Sequence, residues 1–326
     1  MRWVREPLDD VPMEWSRAAI EEAGQRIAGN VHRSPIMTST WLDHEHGCRF
    51  FFKCENLQRG GAFKIRGAMN AVMQLQEAEA QKGVVTHSSG NHAQALAIAS
   101  AARKIPCTVV MPSNAPAVKR QATLDYGANV ITCEPNLESR VSTTEAFIQE
   151  TGATMIHPYD MFPIIQGQAT CAQELLEDCG DLDWIAAPIG GGGLMAGTCL
   201  SANYFSESCQ LIAAEPAGAD DAYRGVQQGS RIASHQPSTI ADGLLTTVGQ
   251  RNWEVVYRLA DRFVTVSEQE IVAAMQFFWE RMKLVVEPSG AVSLAAVLKE
   301  IQNQGLSQTG LRFGIIISGG NRLFVA

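Results

Sequence analysis

The chain has 326 residues, a length suited to about two domains. Hydrophobic residues make up 46% and charged residues 18%, a balance that argues against an intrinsically disordered chain. Twenty-six Lys and Arg against 34 Asp and Glu give a net charge of −8 with no sustained basic run, which disfavours a nucleic-acid partner.

Eight cysteines, at 48, 54, 107, 133, 171, 179, 199 and 209, are scattered without a CxxC pair. Buried free thiols are expected, rather than a zinc or dithiol redox site. The first residues, MRWVREPLDDVP, carry charges where a signal peptide needs an apolar stretch, and no window approaches about 18 uninterrupted apolar residues. A cytoplasmic protein with no membrane partner is expected.

In chain order, short apolar runs ending in polar or glycine residues recur at GVVTHSSG (83–90), CTVVMPS (107–113), NVITCE (129–134), WIAAPIGG (184–191), LIAAEP (211–216) and FGIIISGG (313–320). They read as buried strands followed by functional turns. Helix-like stretches alternate with them, as in the alanine-rich 91–104, so the spacing predicts an α/β chain with a largely parallel sheet. The βα units of about 83–155 are expected to form a compact subdomain inserted in the rest. RGVQQGSRIASHQPSTIA (224–241) has the composition of an irregular excursion, and Ser267 with Glu270 predicts a capping box opening a helix over 267–282.

Four segments carry candidate chemistry. Ser88 to His92 (SSGNH) enters a predicted helix, and its N–H groups with the helix dipole behind them suit a small carboxylate or phosphate; an ordinary N-cap would look the same. Ile189 to Gly197 (IGGGGLMAG) places four successive glycines between a strand and a helix, which suits close approach of backbone to a phosphate. The same stretch fits a dinucleotide fingerprint through Gly191, Gly193 and Ala196, with Glu215 ending the next strand. Ser318 to Asn321 (SGGN) forms another glycine turn near the chain end, which a nucleotide fingerprint does not require. Finally, Lys64 in GGAFKIRGA lies between Phe63 and Ile65, an apolar setting that lowers an amine's pKa and suits Schiff-base chemistry; an exposed lysine on a helix N-terminal turn would look the same in this segment alone.

KCENLQRGGAFKIRGA, THSSGNHAQAL, APIGGGGLMAG, AAEPAGADD, TIADG, ERMKLVVEPSGA and ISGGN occur in this order. Together they resemble the fold-type II pyridoxal-phosphate enzymes, in particular the serine/threonine dehydratase and serine racemase branch, over about residues 17–321. Ala62 departs from the pattern, which more often has serine there. The resemblance implies a large open α/β domain (1–76 plus 161–326) with a smaller α/β domain (77–160) inserted, and a homodimer.

It also implies roles. Lys64 would hold pyridoxal 5'-phosphate covalently and, once freed by substrate, act as general base. Ser89 would serve as acid/base on the opposite face. Phe63 would brace the ring, Asn91 would bond its 3′ oxygen, and Gly190, Gly191, Gly192, Gly193 and Leu194 would donate to the phosphate. Ser318 would face the pyridine nitrogen and leave it neutral. The substrate carboxylate would rest on Ser88, Ser89, Gly90, Asn91 and His92, with Arg140 available to a second carboxylate. Glu215, the carbonyl of Ala219 and Asp221 would hold Mg²⁺ or Ca²⁺.

The implied activity is that of an ammonia-lyase. It would convert a 3-hydroxy amino acid of the serine, threonine or threo-3-hydroxyaspartate class to a 2-oxo acid and ammonia, with racemisation as an accompanying reaction. A nicotinamide-dependent dehydrogenase built on Gly191, Gly193 and Glu215, and a catalytically silent amino-acid-binding protein, stand as the alternatives.

Overall fold

A computed structural model describes residues 12–322. Among them, ten strands form two sheets: β1 (Ile36–Thr38), β2 (Arg49–Cys54), β3 (Val84–His87), β4 (Cys107–Pro112), β5 (Asn129–Cys133), β6 (Thr154–Met155), β7 (Trp184–Pro188), β8 (Gln210–Pro216), β9 (Arg262–Val266) and β10 (Arg312–Ile317). The larger sheet runs β1-β2-β10-β7-β8-β9 and the smaller β5-β4-β3-β6. Every pairing is parallel except β1 with β2.

The six apolar runs became β3, β4, β5, β7, β8 and β10; five of them are buried, since a parallel strand covered on both faces needs apolar residues at every position, whereas β5 was expected to be buried but lies at the edge of the small sheet with only Cys133 buried. Alternate residues serve opposite cores. Ile185 and Ala187 of β7 join Leu211 and Ala213 in one cluster, while Trp184 and Ala186 join Ile212 and Phe313 in the other. Strand β2, RFFFKC, carries a fully buried Lys53 that breaks the apolar signal, and β9, RFVTV, is only partly buried.

The expected irregular stretch 224–241 begins instead in the Asp221–Gln228 helix, which Gly229 closes in the left-handed conformation at φ 71°. The capping box forms as expected: Ser267 Oγ accepts from Glu270 N, and Glu270 Oε2 accepts from Ser267 N. The helix it opens, Glu268–Phe277, then widens into a π turn over Phe278–Met282.

Two helices meet beneath the site. A Cβ on Gly167 of the Phe162–Cys179 helix would fall 2.5 Å from Arg66 O and 2.6 Å from the Cα of Gly67 in the Lys64–Gln74 helix, so the backbones touch. Beside this crossing lies a buried ionic lattice. Arg66 donates to Glu55 (2.8 Å), Glu174 (2.8 Å) and Thr170 Oγ1 (3.0 Å), and Lys53 Nζ donates to Glu174 (2.7 Å) and Ser34 O (2.8 Å). Burial would push the Glu55 carboxyl up, but the Arg66 guanidinium outweighs it and holds the group below the usual range. No described helix is long and apolar enough to cross a membrane.

Candidate active site

Lys64 opens its helix immediately after a turn stitched to the chain's last glycine turn. Phe63 N donates to Ser318 O (3.0 Å), Gly320 N to Gly61 O (2.9 Å) and Asn321 Nδ2 to Gly60 O (2.8 Å), while Ala62 bridges Gly319. These contacts explain why residues so distant in sequence share one site. The Lys64 side chain is half-buried; its amine lies 5.1 Å from the Phe63 ring centroid and donates to the carbonyl of Pro158 at 2.9 Å. Burial brings its pKa down to about 8 against the opposing pull of Glu287, so a neutral amine is accessible near physiological pH.

The SSGNH turn follows β3. Gly90 N donates to Ser88 Oγ (3.3 Å), and Ser89 is half-exposed. Asn91 is fixed from two sides, donating to Glu287 Oε1 at 2.8 Å and accepting from Asn321 Nδ2 at 3.0 Å. The His92 ring turns inward to Ile156 O (3.2 Å), and burial pushes its pKa down to about 3. It is a neutral buried ring, and its contribution to the turn is the backbone N–H.

The glycine run ends at the Gly193–Phe205 helix, and among the described residues nothing accepts from the N–H groups of Gly190, Gly191, Gly192, Gly193 or Leu194. Free donors at a helix start suit an anion. The four glycines have separate reasons to lack a side chain. A Cβ on Gly190 would meet Leu244 Cα at 2.9 Å; on Gly191, the Tyr159 ring at 2.3 Å; on Gly193, Tyr159 O at 3.0 Å. Gly192 alone holds a positive φ, 89°. The run is therefore glycine because protein packs against it from behind, as well as because its donors must stay free.

Ser318 is buried, 2% exposed, and its carbonyl receives Phe63 N. Arg140, on the Leu137–Thr151 helix, is half-buried and donates to Asn136 O (3.4 Å). Its charge reaches His87 at the end of β3: burial first, then Arg140, lowers the His87 pKa.

Glu215 ends β8 with both oxygens engaged, accepting from Ala222 N (3.0 Å) and Tyr223 N (2.8 Å). Asp221 accepts from Val248 N (2.9 Å), while its Oδ1 is buried without a hydrogen-bond partner and faces His235 Nδ1 at 3.7 Å. Burial and then the neighbouring Asp221 push the Glu215 carboxyl far up, and burial raises Asp221 as well. Ala219 is buried in the turn between them. Among the described residues no cluster of three or more His, Cys, Asp or Glu side chains forms. Two buried, mutually repelling acids, one with an oxygen that accepts no hydrogen bond, fit a hard cation such as Mg²⁺ or Ca²⁺, with backbone carbonyl and water completing the shell.

Five unpaired N–H groups and a half-buried amine of lowered pKa also suit a ligand with a phosphate and an aldehyde carbon. Residues 27–319 match the family model described as pyridoxal-phosphate dependent enzyme. The chain belongs to this family. It is 47% identical over 305 residues to a serine racemase of Dictyostelium discoideum, 93% of each chain being covered. It is 46% identical over 299 residues to a beta-hydroxyaspartate dehydratase of Paracoccus denitrificans, covering 92% of this chain and 94% of the other. Among solved structures it superposes on maize serine racemase with a TM-score of 0.91 at 44% identity, 94% of both chains being covered.

The protein is thus a pyridoxal-phosphate-dependent enzyme with the fold-type II architecture, and the nicotinamide and non-enzyme alternatives fall.

Sequence reasoning passed over Glu287, Tyr159, Pro158 and Asn252. For Glu287 the signal was present: an acid between Val286 and Pro288, at the start of an alanine- and valine-rich helix, is a charge placed where burial is expected. HPYD (157–160) has no periodicity and gives no such signal.

Proposed function

We propose that the protein is an ammonia-lyase acting on a 3-hydroxy amino acid, with a threo-3-hydroxyaspartate-type dicarboxylate as the favoured substrate and racemisation as a side reaction. The observation that carries this is the half-buried Lys64 amine, of lowered pKa and stitched through Phe63 to Ser318, in the same site as the free N–H groups of the glycine loop.

Lys64, Phe63, Asn91, Ser318 and the 190–194 backbone would hold pyridoxal phosphate, which when bound supplies an electron sink for charge developing at the substrate α-carbon. The N–H groups of residues 88–92 would grip the α-carboxylate at the helix start. Neutral Lys64 would take the α-proton, and departure of the β-hydroxyl with a proton would leave an enamine that hydrolyses to a 2-oxo acid and ammonia. The half-exposed Ser89 would return a proton from the opposite face, giving the other enantiomer. Ser318, a hydroxyl rather than a carboxylate, would leave the cofactor nitrogen neutral, which favours prompt elimination over a long-lived carbanion. Arg140 would engage the second carboxylate, supported by its field at His87 and by the dehydratase relative's name.

The reading further assigns Glu215, Ala219 and Asp221 to Mg²⁺ or Ca²⁺. It divides the chain into a large domain (1–76 plus 161–326) and a small one (77–160), supported by the two separate sheets. A homodimer and a cytoplasmic location complete it. The location is supported by eight cysteines without a disulfide; the charged first residues, 1–11, lie outside the described residues.

The test is ammonia and 2-oxo-acid release from serine, threonine and the threo-3-hydroxyaspartates, with and without EDTA. Faster turnover of hydroxyaspartate, lost in Arg140→Ala while serine turnover stays, supports the reading. An unchanged preference in that variant removes Arg140 from the substrate site.

A further inference from the structure

Four consecutive residues after β6, His157 to Asp160, form a segment that reaches the site through its two central members. His157 Nδ1 accepts from the N–H groups of Tyr159 (3.3 Å) and Asp160 (2.8 Å), closing the segment into a tight strap, and its ring meets that of Tyr159 edge-on with centroids 4.6 Å apart. Pro158 presents the carbonyl that receives the Lys64 amine. Asp160 caps the Gln250–Leu259 helix, accepting from Gln250 N (3.1 Å) and Arg251 N (3.0 Å).

Tyr159 faces the glycine loop. A Cβ on Gly191 would fall 2.3 to 2.6 Å from three of its ring carbons, so the ring lies directly against that residue. Its carbonyl accepts from Asn252 Nδ2 at 3.1 Å, and the same amide donates to Gly191 O at 2.7 Å. Gly191 does not need the left-handed conformation, unlike Gly192. The Tyr159 ring is what requires a glycine at 191. One strap thus touches both ends of the site, the amine through Pro158 and the loop through the neighbouring side chain.

We infer that Tyr159 is a positioning residue that sets the spacing between the Lys64 amine and the free N–H groups of residues 190–194, so that the two attachment points for pyridoxal phosphate are in register before it arrives. The inference rests on that cofactor occupying the site. A ligand gripped at two ends binds more tightly when the ends are already spaced for it, because less ordering remains to be done on binding. The contact with Gly191 is made by the ring carbons, and the phenol oxygen, which hydrogen-bonds to Thr246, takes no part in it.

The experiment titrates apoprotein with pyridoxal phosphate and, separately, with pyridoxal, which has the aldehyde but no phosphate. It follows the visible absorbance of the lysine-bound form in the parent protein, Tyr159→Phe, Tyr159→Ala and Tyr159→Leu, the last refilling the volume without a flat ring. The expected result is that the Ala and Leu variants lose about tenfold or more in affinity for pyridoxal phosphate. Affinity for pyridoxal stays within about twofold, and the Phe variant behaves as the parent. Equal losses for both ligands would mean general damage to the fold, and no loss for either would mean that the ring sets nothing; both overturn the inference. A parent protein that does not take up pyridoxal phosphate would overturn the assignment of the cofactor site instead.

Discussion

Glu287 Oε1 accepts a hydrogen bond from Asn91 Nδ2 at 2.8 Å, joining the helix that follows the SSGNH turn to the residue that precedes Pro288. The carboxyl is 4% exposed. Burial, then the charge of Asp242, pushes its pKa up to about 7, against the pull of Asn91 and Lys119. An acid whose folded pKa is raised favours the fold while it is protonated, and that contribution fades as pH rises through the folded value. The apoprotein is therefore expected to lose stability relative to Glu287→Gln as pH rises from about 5 to 8, by up to about 3 kcal/mol at roughly 1.4 kcal/mol per pKa unit. Melting temperatures of both apoproteins across that range measure it, and a constant difference would count against a buried, protonated Glu287.

Arg66 and Glu55 are both wholly buried, with Glu174 closing the lattice on the other side. Replacing only Arg66 strands the Glu55 carboxylate and leaves Glu174 to Lys53 alone, a change that typically costs about 3–5 kcal/mol. Arg66→Met is expected to lower the urea midpoint markedly, and Arg66→Met with Glu55→Met to recover part of the loss, because the second change removes a stranded charge. A double variant worse than the sum of the single ones would show that the lattice stabilises by packing rather than by charge.

Two glycines separate folding from function. Gly167→Ala forces a methyl into the backbone of the neighbouring helix, so the apoprotein is expected to lose about 1–3 kcal/mol, seen as a lower melting temperature. At Gly90 a Cβ would meet nothing within 4 Å. Gly90→Ala is expected to fold normally and to raise KM for the amino acid more than it lowers kcat, because the added methyl crowds the turn assigned to the substrate carboxylate. Unchanged KM would take the carboxylate away from that turn.

How much of this was legible beforehand follows from burial. Strands β7, β8 and β10 are covered on both faces and therefore announce themselves as apolar runs, whereas β2 hides behind Lys53, whose charge is answered by Glu174, more than a hundred residues later. Lys64, the SSGNH turn and the glycine run were readable because each couples an unusual local composition to a strand end. Glu287 and Tyr159 act through partners brought together only by the fold, Asn91 and Gly191, and a linear reading has no access to such pairs. The glycine run shows the same limit: its phosphate-suited backbone was expected, but the need for glycine at 191 is set by a ring 32 positions earlier in the chain.

At the second acidic site, the repelling pair Glu215 and Asp221 predicts a response to cations. After EDTA treatment, Mg²⁺ or Ca²⁺ at about a hundredfold over its dissociation constant is expected to stabilise the protein by roughly 2.7 kcal/mol. Asp221→Ala should abolish the shift. An equal thermal shift in that variant would place the cation elsewhere.

The central claim, that Lys64 is the residue to which the cofactor attaches and from which proton transfer proceeds, is tested most directly by reducing the cofactor-loaded protein with borohydride and locating the modified lysine by peptide mass spectrometry. The account predicts a single pyridoxyl adduct on Lys64, with loss of ammonia release. A loaded, active protein whose Lys64 remains unmodified, or an adduct on a different lysine, would contradict it.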